Sequence, residues 1–324
     1  MRNVRAGVDL GGTKIQVAIV DSDHEVLGQA RRPTPGQGGP PAVAGEIAAA
    51  VGEASAAAGV EPGSLMAIGV GSPGVVDGHA GTVAHALNLS GWEGVFPLGP
   101  TLTKALGPPV FLGNDVDVAV EAELLLGAAR PYSSFIGVWW GTGVGGAIIL
   151  DRKPWAGRGA AGEIGHTVVK LNGARCPCGR RGCLEAYAGR AAMETHARRL
   201  VDRGEKTDLF EIMKKEGRTR LSSGVWERAL EKDDKLAVAL IARAIAALGA
   251  GIASAINLLD VEAVVIGGGL GTRLGQPFAD RIAEAMSPHL FVPERAPAVH
   301  AAALGDLGGA IGAALITEPG GSHH

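Results

Sequence analysis

The stretch Val4-Arg5-Ala6-Gly7-Val8-Asp9-Leu10-Gly11-Gly12-Thr13-Lys14-Ile15-Gln16-Val17-Ala18-Ile19-Val20 sets the fold class. Residues 4–8 are a short apolar run, residues 9–14 hold a Gly-Gly turn, and residues 15–20 are a second apolar run closed by Asp21-Ser22-Asp23. Two runs of strand length joined in this way read as a β-hairpin. Downstream, the Pro/Gly-rich residues 33–41 read as a loop, and the Ala-rich residues 43–58 as a helix ended by Gly59. Residues 67–70 read as a buried strand running into Gly71-Ser72-Pro73-Gly74. Strands alternating with helices indicate an α/β fold.

The same design recurs. Residues 110–112 read as a strand ending at Gly113-Asn114-Asp115, with a helix over 116–127 capped by Asn114 or Asp115. Residues 135–140 and 145–150 read as strands around the turn Gly141-Thr142-Gly143, and residues 263–266 as a strand ending at Gly267-Gly268-Gly269. Strand, Gly/Thr turn, strand therefore appears twice, which points to a duplicated architecture with a faint sequence repeat. Residues 205–234 are the most polar and least periodic, and read as surface helix and loop.

Composition narrows the class. A chain of 324 residues suggests two domains, and its 46% apolar content is enough for a sizeable core. The net charge is −3 and no long basic stripe appears, so nucleic acid is not an expected partner. The longest apolar stretch, residues 236–259, carries Arg243 and many Ala and Gly residues, and reads as a buried helix rather than a membrane span. Asp9 and a glycine pair interrupt the N-terminal apolar run where a secretion signal needs an unbroken one. A cytoplasmic protein without membrane partners is expected. Gly320-Gly321-Ser322-His323-His324 reads as a floppy tail or a tag remnant.

Asp9 to Lys14 puts backbone N–H groups, a hydroxyl and an ammonium into one tight turn. Glycine lets the backbone approach an anion, and successive amides make a nest for it. Gly141 to Gly146 offers the same chemistry, and Gly267 to Leu270 a flat surface suited to a base or ribose. None matches the GxxxxGK[ST] loop. The three cysteines all fall in Cys176-Pro177-Cys178-Gly179-Arg180-Arg181-Gly182-Cys183, ten residues after His166. An odd, clustered set argues against a disulfide framework, and Cys₃His completes a tetrahedral zinc site. With four protein ligands no open position remains, so such a zinc is structural and not hydrolytic. Asn88-Leu89-Ser90-Gly91-Trp92, a turn with a half-buried Trp, joins Asn114, Asp115, Glu163 and Glu185 in supplying amides and carboxylates. Polyol hydroxyls need such partners once out of water.

Taken in order, these motifs resemble the ROK family (repressor, open reading frame, kinase), nearest its bacterial glucokinase branch. Cys-x-Cys-Gly-x-x-Gly-Cys-x-Glu is the most specific part, and Gly267 to Leu270 and residues 305–314 extend the match. The resemblance implies an actin-like ATPase (ribonuclease H-like) fold of two α/β domains with an interdomain active-site cleft. Each domain would carry a mixed five-stranded sheet. It places a small domain at 1–114, a larger one with the zinc motif at 115–304, and a C-terminal helix within 305–317 that returns to the first. It implies ATP-dependent phosphorylation of a hexose, glucose first, at the C6 hydroxyl, with Mg²⁺ and structural Zn²⁺.

By the same resemblance the general base falls on Asp115, and the sugar ligands on Asn88, Asn114, Asp115, Glu163, His166 and Glu185. Nucleotide and phosphate contacts fall on Gly11, Gly12, Thr13, Lys14, Thr142, Gly143, Gly268 and Gly269, with Asp9 near the magnesium. Zinc ligands fall on His166, Cys176, Cys178 and Cys183. A homodimer or a tetramer built from dimers is implied. Ser72 before Pro73 departs from the small hydrophobic residue common in relatives. The alternatives within the family are N-acetylglucosamine, N-acetylmannosamine, fructose, mannose or allose as acceptor, and polyphosphate as donor. A sugar-responsive repressor needs a helix-turn-helix before the first Gly-Gly turn, where only eight residues precede Asp9.

Overall fold

The computed structural model describes residues 3–86 and 88–318, so the tail at 320–324 lies outside the described residues. The chain forms two compact units: one takes the chain up to Gly127 and resumes at Leu304, the other runs Ala128–Ala303. The boundary expected at 114/115 and this division differ by one helix, α3 below.

In the first unit the hairpin forms as read. Strands β1 (Arg5–Leu10) and β2 (Lys14–Val20) pair antiparallel, Leu10 opposite Ile15, across the Gly-Gly turn. β3 (Val26–Pro33) extends the antiparallel side, while β4 (Ile68–Ser72) pairs parallel with β1. A three-stranded sheet of β5 (Val75–Asp77), β6 (Thr82–Ala84) and β7 (Val95–Phe96) stands apart. β8 (Val110–Asn114) closes the main sheet, whose order is β3-β2-β1-β4-β8. Trp92 is fully buried rather than half-buried, because its Nε1–H finds the Val83 carbonyl at 3.1 Å and the ring can leave water at no polar cost.

Helix α1 (Gly39–Ala58) begins inside the segment expected to be loop. Pro40 and Pro41 occupy its first turn, where an N–H has no intrahelical acceptor, so proline is tolerated there. Val43, Ile47, Ala50, Val51 and Ala54 form its buried face, and Gly59 ends it at φ 68°. α2 (Leu98–Leu106) and α3 (Asp115–Leu125) complete this part. The C-terminal helix, Gly308–Leu315, packs on β1, β4 and α3. A Cβ on Gly7 or Gly69 would run into its Ala310 or Ala313 carbonyl, and one on Gly312 into the Val118 carbonyl of α3. These backbone-on-backbone contacts hold α3 in the first unit.

The second unit repeats the wiring. β9 (Phe135–Trp140) and β10 (Val144–Leu150) form a hairpin across Gly141-Thr142-Gly143. β11 (Lys153–Pro154) extends the antiparallel side, and β12 (Ala263–Gly267) and β13 (Ala298–Ala301) add in parallel, giving the order β11-β10-β9-β12-β13. Position for position, this is the order and direction of the first sheet. Helices α4 (Glu185–Ala188), α5 (Arg190–Val201), α6 (Leu209–Lys215), α7 (Ser223–Glu231), α8 (Lys235–Leu259), α9 (Gly268–Leu274) and α10 (Gln276–Met286) surround it.

Two expectations meet different outcomes here. α8 is long and apolar enough to cross a membrane, but 67% of its most apolar window is buried inside the protein, as expected of a core helix. Residues 205–234, expected at the surface, instead send Leu209, Ile212, Met213, Val225 and Trp226 into the core. Polar residues between these anchors hide the amphipathic period of two short helices from a composition-based reading.

Glycine substitutions test the packing of the C-terminal helix. Gly69→Ala is expected to destabilise the fold by about 1–3 kcal/mol through overpacking. Gly45→Ala, on an exposed face of α1 with open space around it, should stabilise by about 0.5–1 kcal/mol. Chemical denaturation of the two variants, with opposite signs expected, checks the assignment.

Candidate active site

In the first unit, the residues singled out from the sequence gather at the β1–β2 turn and at the C-terminal ends of the parallel strands. Gly11 N–H donates to the Lys14 carbonyl at 2.9 Å, and the Thr34 hydroxyl donates to the Gly11 carbonyl at 2.6 Å. Gly12 lies against Asn88: a Cβ at Gly12 would stand 2.8 Å from the Asn88 carbonyl oxygen. The Lys14 ammonium donates to Gln16 Oε1 at 2.7 Å and pairs with Asp306 at 3.8 Å. Asp9, near the end of β1, meets the first turn of the C-terminal helix, where a Cβ on Gly309 would stand 2.9 Å from its Cγ.

Asn114 ends β8 and caps α3, its Oδ1 accepting from Val116 N–H at 2.9 Å and Asp117 N–H at 3.3 Å. That commits the carbonyl oxygen to the helix and leaves the NH₂ group for a ligand. Asp115 is the first residue of α3 and accepts from Val116 N–H at 3.0 Å. Desolvation, then the neighbouring Asp9 charge, push the Asp115 carboxyl up to about 7, against the pull of that N–H. Burial also raises the Asp9 carboxyl, with Lys14 opposing and Asp306 reinforcing. Two half-buried carboxyls that repel each other suit a divalent cation or a proton shared with a ligand.

The second unit carries the other turn. The carbonyls of Gly141, Thr142 and Gly143 are each engaged, by the N–H groups of Arg190, Ala191 and Gly141 at 3.0–3.1 Å. The turn's negative ends are thus tied back into the protein. Gly269 approaches it: a Cβ at Gly141 would lie 3.8 Å from the Gly269 N–H nitrogen. Gly268 has φ 79° and packs on the Trp140 backbone, so both its conformation and its space require glycine. The structure thus brings Thr142, Gly143, Gly268 and Gly269 to one region of this unit. Gly267 ends β12 and Gly268 to Leu270 open α9, rather than forming a flat strip.

The four zinc-ligand candidates also come together. The Nδ1 of His166 and the sulfurs of Cys176, Cys178 and Cys183 all lie within 4.8 Å of one another. Cys178 and Cys183 are 3.8 Å apart, and Cys176 is 3.9 Å from His166 Nδ1. Ligands at ~2.3 Å from a tetrahedral ion stand roughly 3.8 Å apart, so these two pairs already match zinc and the widest separation in the set, up to 4.8 Å, closes on binding. Burial pushes the Cys176 thiol up to about 12, while the Arg180 backbone N–H draws the exposed Cys178 thiol down. An ion bound here displaces protons held by burial.

His166 turns its other nitrogen, Nε2, outward, 3.9 Å from a carboxylate oxygen of the exposed Glu163. Glu185 starts α4 and bridges two features: Oε2 accepts the Val144 N–H at 3.0 Å, and Oε1 faces the Cys176 sulfur at 3.7 Å. One residue absent from the sequence-based set also lies here. Arg190 begins α5, and its guanidinium donates to Thr142 Oγ1 at 2.7 Å. No spacing rule marks it, since an arginine opening a helix is ordinary in any sequence.

Comparison with known proteins agrees with this geometry. The family model described as "ROK family" matches residues 5–319. The chain is 33% identical to a glucokinase of Thermotoga maritima over 288 residues, 87% of this chain and 88% of that protein. It is 32% identical to an N-acetylmannosamine kinase of Haemophilus influenzae, over 83% of this chain and 81% of the relative. Among solved structures, a ROK family glucokinase from Streptomyces griseus, in complex with glucose and AMPPNP, superposes with a TM-score of 0.83 at 31% identity. That match covers 97% of this chain and 98% of the other. With matching motifs, duplicated five-stranded sheets and a family match along nearly the whole length, this chain belongs to the ROK family and has its actin-like α/β fold.

Proposed function

We propose that this protein moves the γ-phosphoryl group of ATP onto the C6 hydroxyl of a hexose, glucose first, with Asp115 as general base. The observation that carries this reading is the Asp115 carboxyl itself. Lifted to about 7 at the end of a parallel strand, it can accept a hydroxyl proton at neutral pH and release it afterwards. The reading assigns the base and Asp9 to the first unit. It assigns the Thr142-Gly143 turn, with Glu163, His166 and Glu185 for ring hydroxyls, to the second. The glucokinases among the relatives support glucose, and the N-acetylmannosamine kinase at nearly equal identity supports that sugar as the second reading.

Asp115 takes the C6 proton as the oxygen attacks the γ-phosphorus and the bond from that phosphorus to the bridging oxygen breaks, releasing ADP; the proton leaves to water once transfer is complete. Backbone N–H groups of the Gly/Thr turns hold the phosphate oxygens, whose charge spreads in the transition state. Asp9 is the carboxylate offered to Mg²⁺, which would neutralise phosphate charge when bound. The Cys₃His set would hold zinc in a structural role, fixing the loops that carry His166 and Glu185. A cytoplasmic location and a homodimer or tetramer accord with such an enzyme.

Coupled ADP-release assays over glucose, mannose, fructose, allose, N-acetylglucosamine and N-acetylmannosamine test the acceptor. The highest kcat/KM is expected with glucose, and a higher value for N-acetylmannosamine would install the second reading.

Asp115→Asn is expected to lower kcat by about 10²–10⁴-fold. In the wild type, kcat/KM for the hexose should fall tenfold per pH unit below about 7, because only the ionised carboxylate accepts the proton. The raised folded-state value also means the native form holds this proton more tightly than the unfolded chain. Native stability therefore drops as pH rises from the usual carboxylate range through about 7. The Asn variant should lose this drop and melt higher than wild type at pH 8. An inactive variant that also melts lower would instead indicate misfolding.

Elemental analysis should find about one zinc per chain, lost in Cys178→Ser. Chelation should lower the melting temperature together with activity. Loss of activity at unchanged melting temperature would contradict the structural role.

A further inference from the structure

We propose that Arg190 is a binding residue for the phosphates of the phosphoryl donor, acting with Thr142. This deepens the kinase reading and rests on it. Thr142 Oγ1 accepts the Arg190 N–H at 2.7 Å. A hydroxyl that accepts from a guanidinium keeps its own proton for another acceptor, and the adjoining positive charge strengthens that donor. The pair therefore presents an O–H donor and a cation side by side, on a turn whose three carbonyls are bound elsewhere. Such a surface recognises a multiply charged oxyanion.

The charge on Arg190 has only a distant carboxylate to answer it. It is half-buried, and burial works against its protonated form. Among the described residues it makes no ion pair. Glu194, the carboxylate that favours its charge, spends one oxygen on Arg198 at 2.6 Å and the other on the Leu221 N–H at 3.0 Å. Arg220, the remaining charged influence, repels it. A partly desolvated cation with a hydroxyl as its bonded partner is a costly arrangement unless an anion completes it. The guanidinium, with five donors in a planar fork, can hold the hydroxyl and a phosphate oxygen together. The shared ligand chemistry is a chain of phosphates, supplied by ATP or by inorganic polyphosphate.

Steady-state kinetics of wild type, Arg190→Gln and Arg190→Lys, with each donor at saturating hexose and with hexose varied at saturating donor, test the proposal. In Arg190→Gln the donor KM is expected to rise about 10- to 100-fold, the scale of one lost charge-assisted hydrogen bond. The hexose KM should change less than about twofold, and Arg190→Lys should recover part of the loss. A rise with ATP, with polyphosphate or with both supports the contact and names its source. An unchanged KM for both donors overturns it, as does an equal loss in both variants accompanied by lower melting temperature and weaker hexose binding. Titration calorimetry with AMPPNP reads the same contact without turnover. If the wild type binds AMPPNP but phosphorylates no hexose, the kinase reading fails, and AMPPNP affinity then decides this one: a loss of about 10- to 100-fold in Arg190→Gln supports it and an unchanged affinity overturns it.

Discussion

Glu185 ties the Gly/Thr turn of the second unit to its thiol cluster. One carboxylate oxygen takes the Val144 N–H and the other faces Cys176. The bridge accounts for several neighbouring choices. Gly143 must lack a side chain, because a Cβ would enter the space of Glu185 Oε2. Gly189 is constrained likewise, between the Glu185 carbonyl and the Gly143 backbone. Trp140 joins the same knot by donating to the Ala188 carbonyl at 2.7 Å. Thiol-bearing loop, turn and helix start are thus parts of one hydrogen-bonded assembly, in which a shift of one is felt by the others.

The two sheets solve one physical problem twice. A hairpin followed by parallel strands brings a tight turn and the C-terminal ends of parallel strands into each unit. Those ends are where helix starts and loop residues collect. The first unit uses this arrangement to raise the affinity of a carboxyl for its proton, through burial and a second carboxyl. The second uses it to turn carbonyls inward and present donors. One wiring therefore yields a carboxyl of raised proton affinity in one copy and a turn with its carbonyls engaged in the other.

The opening hairpin, its repeat, the buried helix α8 and the Cys₃His grouping were legible in the sequence because each has a local signature: period, turn residue or ligand spacing. The start of α1 was not, since Pro40 and Pro41 resemble loop composition and act as helix openers only in place. Nor was the allegiance of α3, which depends on Gly312 of a helix nearly two hundred positions later. The burial of Trp226 and Leu209 was hidden by charged neighbours, and Arg190 by the ordinariness of its surroundings. Readings failed where long-range packing rather than local pattern decided the outcome.

The return of the C-terminal helix to β1 and β4 has a consequence for biogenesis. Translation must pass through all of residues 128–303 before that helix exists. At ~5–20 residues per second this is a delay on the order of 10 to 40 s, during which that face of the first sheet is covered by α3 but not by the C-terminal helix. Ala18 and Val20, which share an apolar cluster with Ala122, Ala310 and Ile311, lack the last two of these partners for that interval. The nascent first unit thus carries an exposed apolar patch until residues 308–315 leave the ribosome, and chaperone capture is most valuable in that window.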